Sequence, residues 1–262
     1  MKEPNLLYHY TSLCTLAKIL LGMETQNGNK KIFLRAGNAK NMNDPNDCYY
    51  FVNKIGNIVG ANSKEIDEIL DKKYELDAPY ILSLSEKADD LHMWTCYGDD
   101  GCGVSIAFKN EELDNVASDF HNDIHHDTKL YKCIYDTCSK ELYLKIGSPT
   151  KENLLSADYW TNGIQESTLR ISDIIKHPCY EYEKEWRMVV LHGKNELIVK
   201  NQDESKYKSL EDAFYIPIPI SCIDHICIGP SAVNYSAIKN SILKCLPDVE
   251  VKKSEIPYRS KK

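Results

Sequence analysis

The chain has no long apolar run. Its most hydrophobic early stretch, Leu16 to Met23, is broken by Lys18 and follows no basic segment. A membrane span needs about 20 apolar residues and a secretory leader a charged start, so a soluble cytoplasmic protein is expected. Cysteines at C-x-x-C spacing are also missing. The ten cysteines stand apart, as in Cys96 and Cys102, Cys133 and Cys138, or Cys222 and Cys227, a pattern of reduced thiols rather than a disulfide scaffold. Positive charge is not in excess: 32 Lys and Arg face 39 Asp and Glu, net −7. That argues against sequence-independent docking on nucleic-acid phosphates, which clustered cations drive. There is no P-loop, and Gly101-x-Gly103 lacks the third glycine of a dinucleotide fingerprint. No repeat or linker divides the 262 residues, and with 42% hydrophobic and 27% charged residues they read as one globular domain, 1–262.

The elements alternate irregularly, as in an α+β protein. Leu6 to Tyr10 reads as a strand, followed by a helix over Leu13 to Leu21 with Ser12 as its cap and Gly22 as its end. Lys31 to Ala36 is a strand, and Asn38 to Asp47 has the chemistry of a loop. A helix is predicted over 63–76 with Ser63 as cap. Strand Pro79 to Ser85, helix Asp89 to Tyr97, a glycine turn and strand Gly103 to Phe108 form the best-defined block. The polar, acidic stretch 109–127 suggests no element. Lys129 to Tyr135 is a strand, and 138–176 is a mostly helical insertion with a turn at Gly147-Ser148-Pro149. Strands follow at Trp186 to His192, Ala213 to Pro219 and Ile223 to Ile228, then a helix over Ser236 to Leu246 and a strand at Val249 to Lys252.

Three constellations carry chemistry. In Tyr8-His9-Tyr10-Thr11 a neutral imidazole and a hydroxyl at a strand end suit ribose hydroxyls or an amide; the plain alternative is a strand histidine bonded to backbone. Ser83-Leu84-Ser85-Glu86, then Met93-Trp94 and Tyr97-Gly98, bring hydroxyls and aromatic faces beside a glycine turn. Helical spacing marks Trp94 as core, and Tyr97 stays open. In Glu181-Tyr182-Glu183-Lys184-Glu185-Trp186-Arg187, strand alternation puts Glu181, Glu183, Glu185 and Arg187 on one face. A carboxylate in a buried strand needs a partner such as Arg187, or a catalytic role. His121, His125 and His126 match i, i+4 metal spacing but read as solvated.

Together Tyr8-His9-Tyr10-Thr11-Ser12, Leu34-Arg35, Asn43-Asp44-Pro45, Ser83-Leu84-Ser85-Glu86, Met93-Trp94-x-x-Tyr97-Gly98, Gly103-Val104-x-Ile106-x-Phe108, Glu183-x-Glu185-Trp186-Arg187 and Ile228-Gly229-Pro230 resemble a bacterial family of unknown function, numbered 2971 among such domains and akin to abortive-infection proteins. More distantly, the chain resembles ADP-ribosyltransferases of the His-Tyr-Glu type. That resemblance implies a split, mostly antiparallel sheet with flanking helices, NAD as substrate, and His9, Tyr97 and Glu185 on ribose, nicotinamide and ribose 2′-hydroxyl. Glu183 competes with Glu185 for the catalytic place. Tyr10, Thr11, Arg35, Asn43, Asp44, Ser83, Ser85, Trp94 and Arg187 complete the implied dinucleotide-binding set, with Arg35 or Arg187 contacting phosphate or orienting a glutamate. Tyr10 departs from the glycine usual after the histidine. The implied role is glycosyl transfer from NAD, or its hydrolysis, in phage defence or as a toxin, with a protein or nucleic-acid acceptor and a possible defence-system partner.

Two other readings stand beside it. Asp44, Asp47 and the Glu183/Glu185 pair around a divalent ion make a nucleotide or nucleic-acid hydrolase. The same cleft without turnover makes a nucleotide sensor or partner protein.

Overall fold

Alternation along each strand decides which side chains meet the core, and here both faces of the sheet are partly covered. A computed structural model describes residues 3–26, 28–39, 49–76, 79–124, 128–135, 140–145, 147–156, 158–159, 173–190, 208–209 and 213–260. Its strands are β1 (Leu6–Thr11), β2 (Glu24–Gln26), β3 (Asn29–Asn38), β4 (Tyr80–Ser85), β5 (Val104–Lys109), β6 (Thr128–Lys132), β7 (Ile134–Tyr135), β8 (Ile175–Lys176), β9 (Glu185–Val190), β10 (Lys208–Ser209), β11 (Ala213–Pro219), β12 (Ile223–Ile228) and β13 (Glu250–Lys253). Eleven of them form one sheet in the order β10-β11-β3-β4-β1-β5-β12-β13, with β2 on β3 and with β9 joining β4 to β6. The pairings are antiparallel except β12–β13 and the separate β7–β8 pair. The helices are α1 (Leu13–Leu21), α2 (Tyr49–Ile58), α3 (Ser63–Leu76), α4 (Leu91–Tyr97), α5 (Asn110–Ile124), α6 (Lys140–Lys145), α7 (Lys151–Leu155) and α8 (Tyr235–Cys245). The fold is α+β, a mostly antiparallel sheet with flanking helices.

One face carries the main core: Leu7, Leu34, Leu82, Ile106, Met188 and Phe214 pack against Leu16 of α1, Leu113, Val116 and Phe120 of α5, and Ile242 of α8. On the other face two separate clusters cover the sheet. Met93 and Trp94 of α4 close over Tyr10 and Cys227. Away from them α2, α3, α7 and β8 build their own cluster around Phe51, Ile55, Ile69 and Ile175, which reaches the sheet through Ala39 and Ile81.

The sheet opens at β4. Along one edge β4 pairs with β9 over its whole length, from Tyr80↔Val190 to Ser85↔Glu185. On the other edge β3 pairs only at Tyr80 and Ile81, and β1 only at Ser85. Peptide groups of alternate residues point to the same edge, so Ser83 faces the gap where β3 and β1 part.

Several boundaries differ from expectation, each for a physical reason. The cap of α3 is Asn62, whose Oδ1 accepts from Glu65 N while Glu65 Oε2 accepts from Asn62 N, a reciprocal box one residue before Ser63. The stretch 109–127 holds α5. The 138–176 insertion contains α6 and α7 but ends in β8. The strand expected to carry Glu181 and Glu183 begins at Glu185: Pro178–Glu183 is a 3-10 turn, and Lys184 stands at φ 47°. Asn43, Asp44, Asp47, His125 and His126 lie outside the described residues, and His121 is exposed at the end of α5. No described helix is long and apolar enough to cross a membrane, and the described cysteines are free thiols.

Candidate functional site

His9 sits at the opening. Its Nδ1 lies 3.1 Å from the Ser83 carbonyl oxygen, and because a carbonyl only accepts, Nδ1 carries the proton and Nε2 is left as an acceptor. The ring thus fills the place of a missing ladder partner. Burial lowers the imidazole pKa, partly offset by this bond, so the ring is neutral. Nε2 has no partner among the described residues and is not sealed in the core. His9 and Thr11 alternate with Tyr8 and Tyr10, so they lie on the main-core side of the sheet. The Thr11 backbone packs against Gly103, where an added Cβ would stand 2.1 Å from its carbonyl oxygen.

Arg35 and Ser83 lie on the opposite side. Arg35 is exposed on β3, and its Nη1 would be 3.0 Å from a Cβ on Gly37. The glycine leaves room for the guanidinium to fold back over its own strand. Arg35 pairs with no carboxylate among the described residues, so its charge is open to solvent. Ser83 is half-buried there.

At the start of β9 a buried polar cluster takes up most of the sequence's third constellation. Arg187 is 0% exposed and Glu185 5%. Arg187 Nε donates to Glu185 Oε1 and Nη2 to Oε2, both at 3.1 Å, and Nη1 donates to the Asp173 carbonyl at 2.7 Å. Lys176 Nζ and Cys133 Sγ also reach Glu185 Oε2, at 2.8 and 3.6 Å. Burial raises the Glu185 pKa, but Arg187 and Lys176 outweigh it and hold the carboxyl at about 2. Glu185 and Arg187 therefore saturate one another rather than facing a ligand.

Glu183 is different. Its Oε2 accepts from Lys176 Nζ at 2.8 Å and its Oε1 from the Tyr97 hydroxyl at 2.7 Å. Tyr97, at the end of α4, is 40% exposed. Burial and the Glu183 contact push its pKa up, so it remains a donor. The left-handed Lys184 turns Glu183 out of the strand, and Ser85 fixes the turn: its Oγ donates to the Glu183 carbonyl at 2.6 Å and accepts from Lys87 N at 3.0 Å. Ser85 is thus occupied by architecture.

Tyr10 and Trp94 also belong to the frame. Their rings meet edge to face at 4.8 Å. The Tyr10 hydroxyl donates to the Lys87 and Ala88 carbonyls, fixing the segment that leads into α4, which is why a large side chain stands after His9. Trp94 is fully buried, with Nε1 on Asp89 Oδ1 at 2.6 Å. The structure thus leaves Ser83, Arg35 and the Tyr97–Glu183 pair on the face away from the main core, holds His9 on the main-core face where, among the described residues, it meets only the Ser83 carbonyl, and withdraws Tyr10, Ser85, Trp94, Glu185 and Arg187 into packing. Lys176 is the residue that sequence reasoning missed. It looks like one more lysine of the helical insertion, and the only hint was that two carboxylates near one arginine leave one charge uncompensated.

Residues 93–188 match the model of a family described as a protein of unknown function (DUF2971). This segment runs from α4 into β9 and includes Tyr97, Lys176, Glu183, Glu185 and Arg187. No curated protein and no solved structure matches the chain.

Proposed function

We propose that the opening binds NAD and that the protein cleaves its nicotinamide–ribose bond, transferring ADP-ribose to an acceptor or to water. The observation that carries this reading is the pair Tyr97–Glu183, a buried carboxylate whose Oε1 accepts, among the described residues, from the hydroxyl of an exposed ring. A ribose 2′-hydroxyl has the same donor chemistry as that phenol and can take its place. The carboxylate then stabilises the positive charge that grows on the ribose as the C1′–N bond breaks. The bonding electrons go to the pyridinium nitrogen and nicotinamide leaves neutral; an acceptor lone pair forms the new bond to C1′ and the acceptor sheds its proton. The freed Tyr97 ring offers a stacking face and Arg35 supplies a charge for the pyrophosphate, while His9 acts from the other face of the sheet by holding the Ser83 carbonyl. Glu183 takes the role that the resemblance assigns to Glu185, because Glu185 has no free side.

A divalent-ion hydrolase fits less well. Lys176 stands 2.8 Å from both Glu183 and Glu185, so an ammonium occupies the position a metal ion would need.

The test is incubation with NAD while free nicotinamide is followed by chromatography, beside the Glu183→Gln, Glu185→Gln and His9→Ala variants. Wild-type release, lost about 10²-fold in Glu183→Gln with folding intact, is the expected result. Binding of NAD without release assigns the groove to a sensor, and absence of both binding and release overturns the reading.

A further inference from the structure

Lysine is almost never fully buried unless paired. Lys176 is 6% exposed, and its Nζ lies 4.7 Å from the Tyr180 ring centroid while bridging Glu183 and Glu185. It arrives on β8, a two-residue strand paired in parallel with β7 at Tyr135↔Lys176. So small a pair is not stable alone. It is tied to the sheet by Lys176 and by the Tyr135 hydroxyl, which accepts from Glu185 N at 2.7 Å.

The charges then divide unequally. Arg187 already engages both oxygens of Glu185, whereas Lys176 is the cation paired with Glu183 among the described residues. We infer that Lys176 is a positioning residue: it draws Glu183 Oε2 inward against the Glu185–Arg187 pair and so leaves Oε1 turned to the rim. The helical insertion is thereby part of the site, since its last strand aims the carboxylate. This rests on the reading of Glu183 as the carboxylate that meets the ribose.

Lys176→Ala tests it. A carboxylate displaced by about 1 Å costs on the order of 10²-fold in rate, so kcat for nicotinamide release falls by that factor while KM for NAD stays nearly constant. Ethylammonium, which fits the vacated space, restores kcat in a saturable way. A second readout needs no NAD: the carboxyl carbon-13 resonance of Glu183, assigned with Glu183→Gln, moves in Lys176→Ala and returns with ethylammonium. An unchanged kcat, an equal loss in kcat and KM without rescue, or an unmoved resonance overturns the inference. If the wild type releases no nicotinamide, the reaction reading falls and the resonance alone decides the role of Lys176. Should Lys176→Ala not fold, Lys176→Arg decides, because it keeps the charge but aims it through a planar fork; unchanged kcat, or an unmoved Glu183 resonance, sinks the proposal.

Discussion

Two junctions frame the opening, and they are built in contrasting ways. At the end of α4 the contact is between bare backbones. Gly103 N donates to the Gly98 carbonyl at 2.8 Å and Gly229 N to the Gly103 carbonyl at 2.9 Å. A Cβ on Gly229 would stand 2.3 Å from the Gly101 carbonyl oxygen. At the start of β9 the contact is between buried charges. The first junction tolerates no added atom, and the second tolerates no lost charge. Tyr97 ends the piece locked by shape and Glu183 the piece locked by charge, so their hydrogen bond is set from two independent sides.

The largest expected effect separates the two kinds of lock. Gly103→Ala should cost about 4–5 kcal/mol, the upper range for single substitutions, because the nearest obstruction is backbone. Gly147→Ala has nothing within 4 Å of the new atom and should cost only the left-handed strain, about 1–2 kcal/mol. Similar urea midpoints for the two variants would break the description of the first junction.

Next comes charge. Arg187→Met leaves two buried carboxylates, Glu183 and Glu185, to share the one Lys176 ammonium and should cost about 3–5 kcal/mol. Adding Glu185→Leu leaves Lys176 balanced by Glu183 and should return most of that loss, which chemical denaturation of the single and double variants will measure. The same junction gives a pH dependence. The folded-state pKa of Glu185, about 2, lies below its ordinary 4.5, so its stabilisation is present above 4.5 and lost as pH falls toward 2. Wild-type midpoints should fall through that window, and the double variant should lose less across it.

The smallest effect concerns the segment after β13. Tyr258 donates to Asp100 Oδ1 at 2.6 Å and Glu255 N to Asp89 Oδ2 at 2.8 Å, which pins the chain end beside α4. Tyr258→Phe should cost about 1 kcal/mol in thermal unfolding and leave the charged junction untouched.

The shape-locked junction was largely legible in the sequence, and the charge-locked one only in part. Helix α4 and the glycine turn announce themselves locally, since each depends on neighbours within a few residues; the helix expected from Asp89 starts after an Asp90 cap, whose Oδ1 accepts from His92 N and Met93 N. The core spacing of Trp94 was equally plain. Glu183 and Glu185 were singled out, but alternation put them on one strand face, and the left-handed Lys184 that separates them leaves no unambiguous mark. Helix α5 was hidden by composition. Leu113, Val116, Ala117 and Phe120 recur at helical spacing and are buried, yet the acidic residues between them gave the stretch the look of a loop. Lys176 meets partners seven and nine residues away through a fold-back that no local pattern encodes.

The pairing of β3 with β11 joins residues 31–37 to 213–219, and this has a bearing on synthesis. At about 5–20 residues per second, the β11 edge of β3 waits on the order of ten to forty seconds for its partner, roughly twice as long as β1 waits for β5, although β2 and β4 pair with the ends of β3 earlier. An unpaired strand is a template for aggregation, and charge along it is a common safeguard. Lys30, Lys31 and Arg35 punctuate β3, and while the β11 edge is still open such charges disfavour its pairing with a neighbouring chain on the polysome.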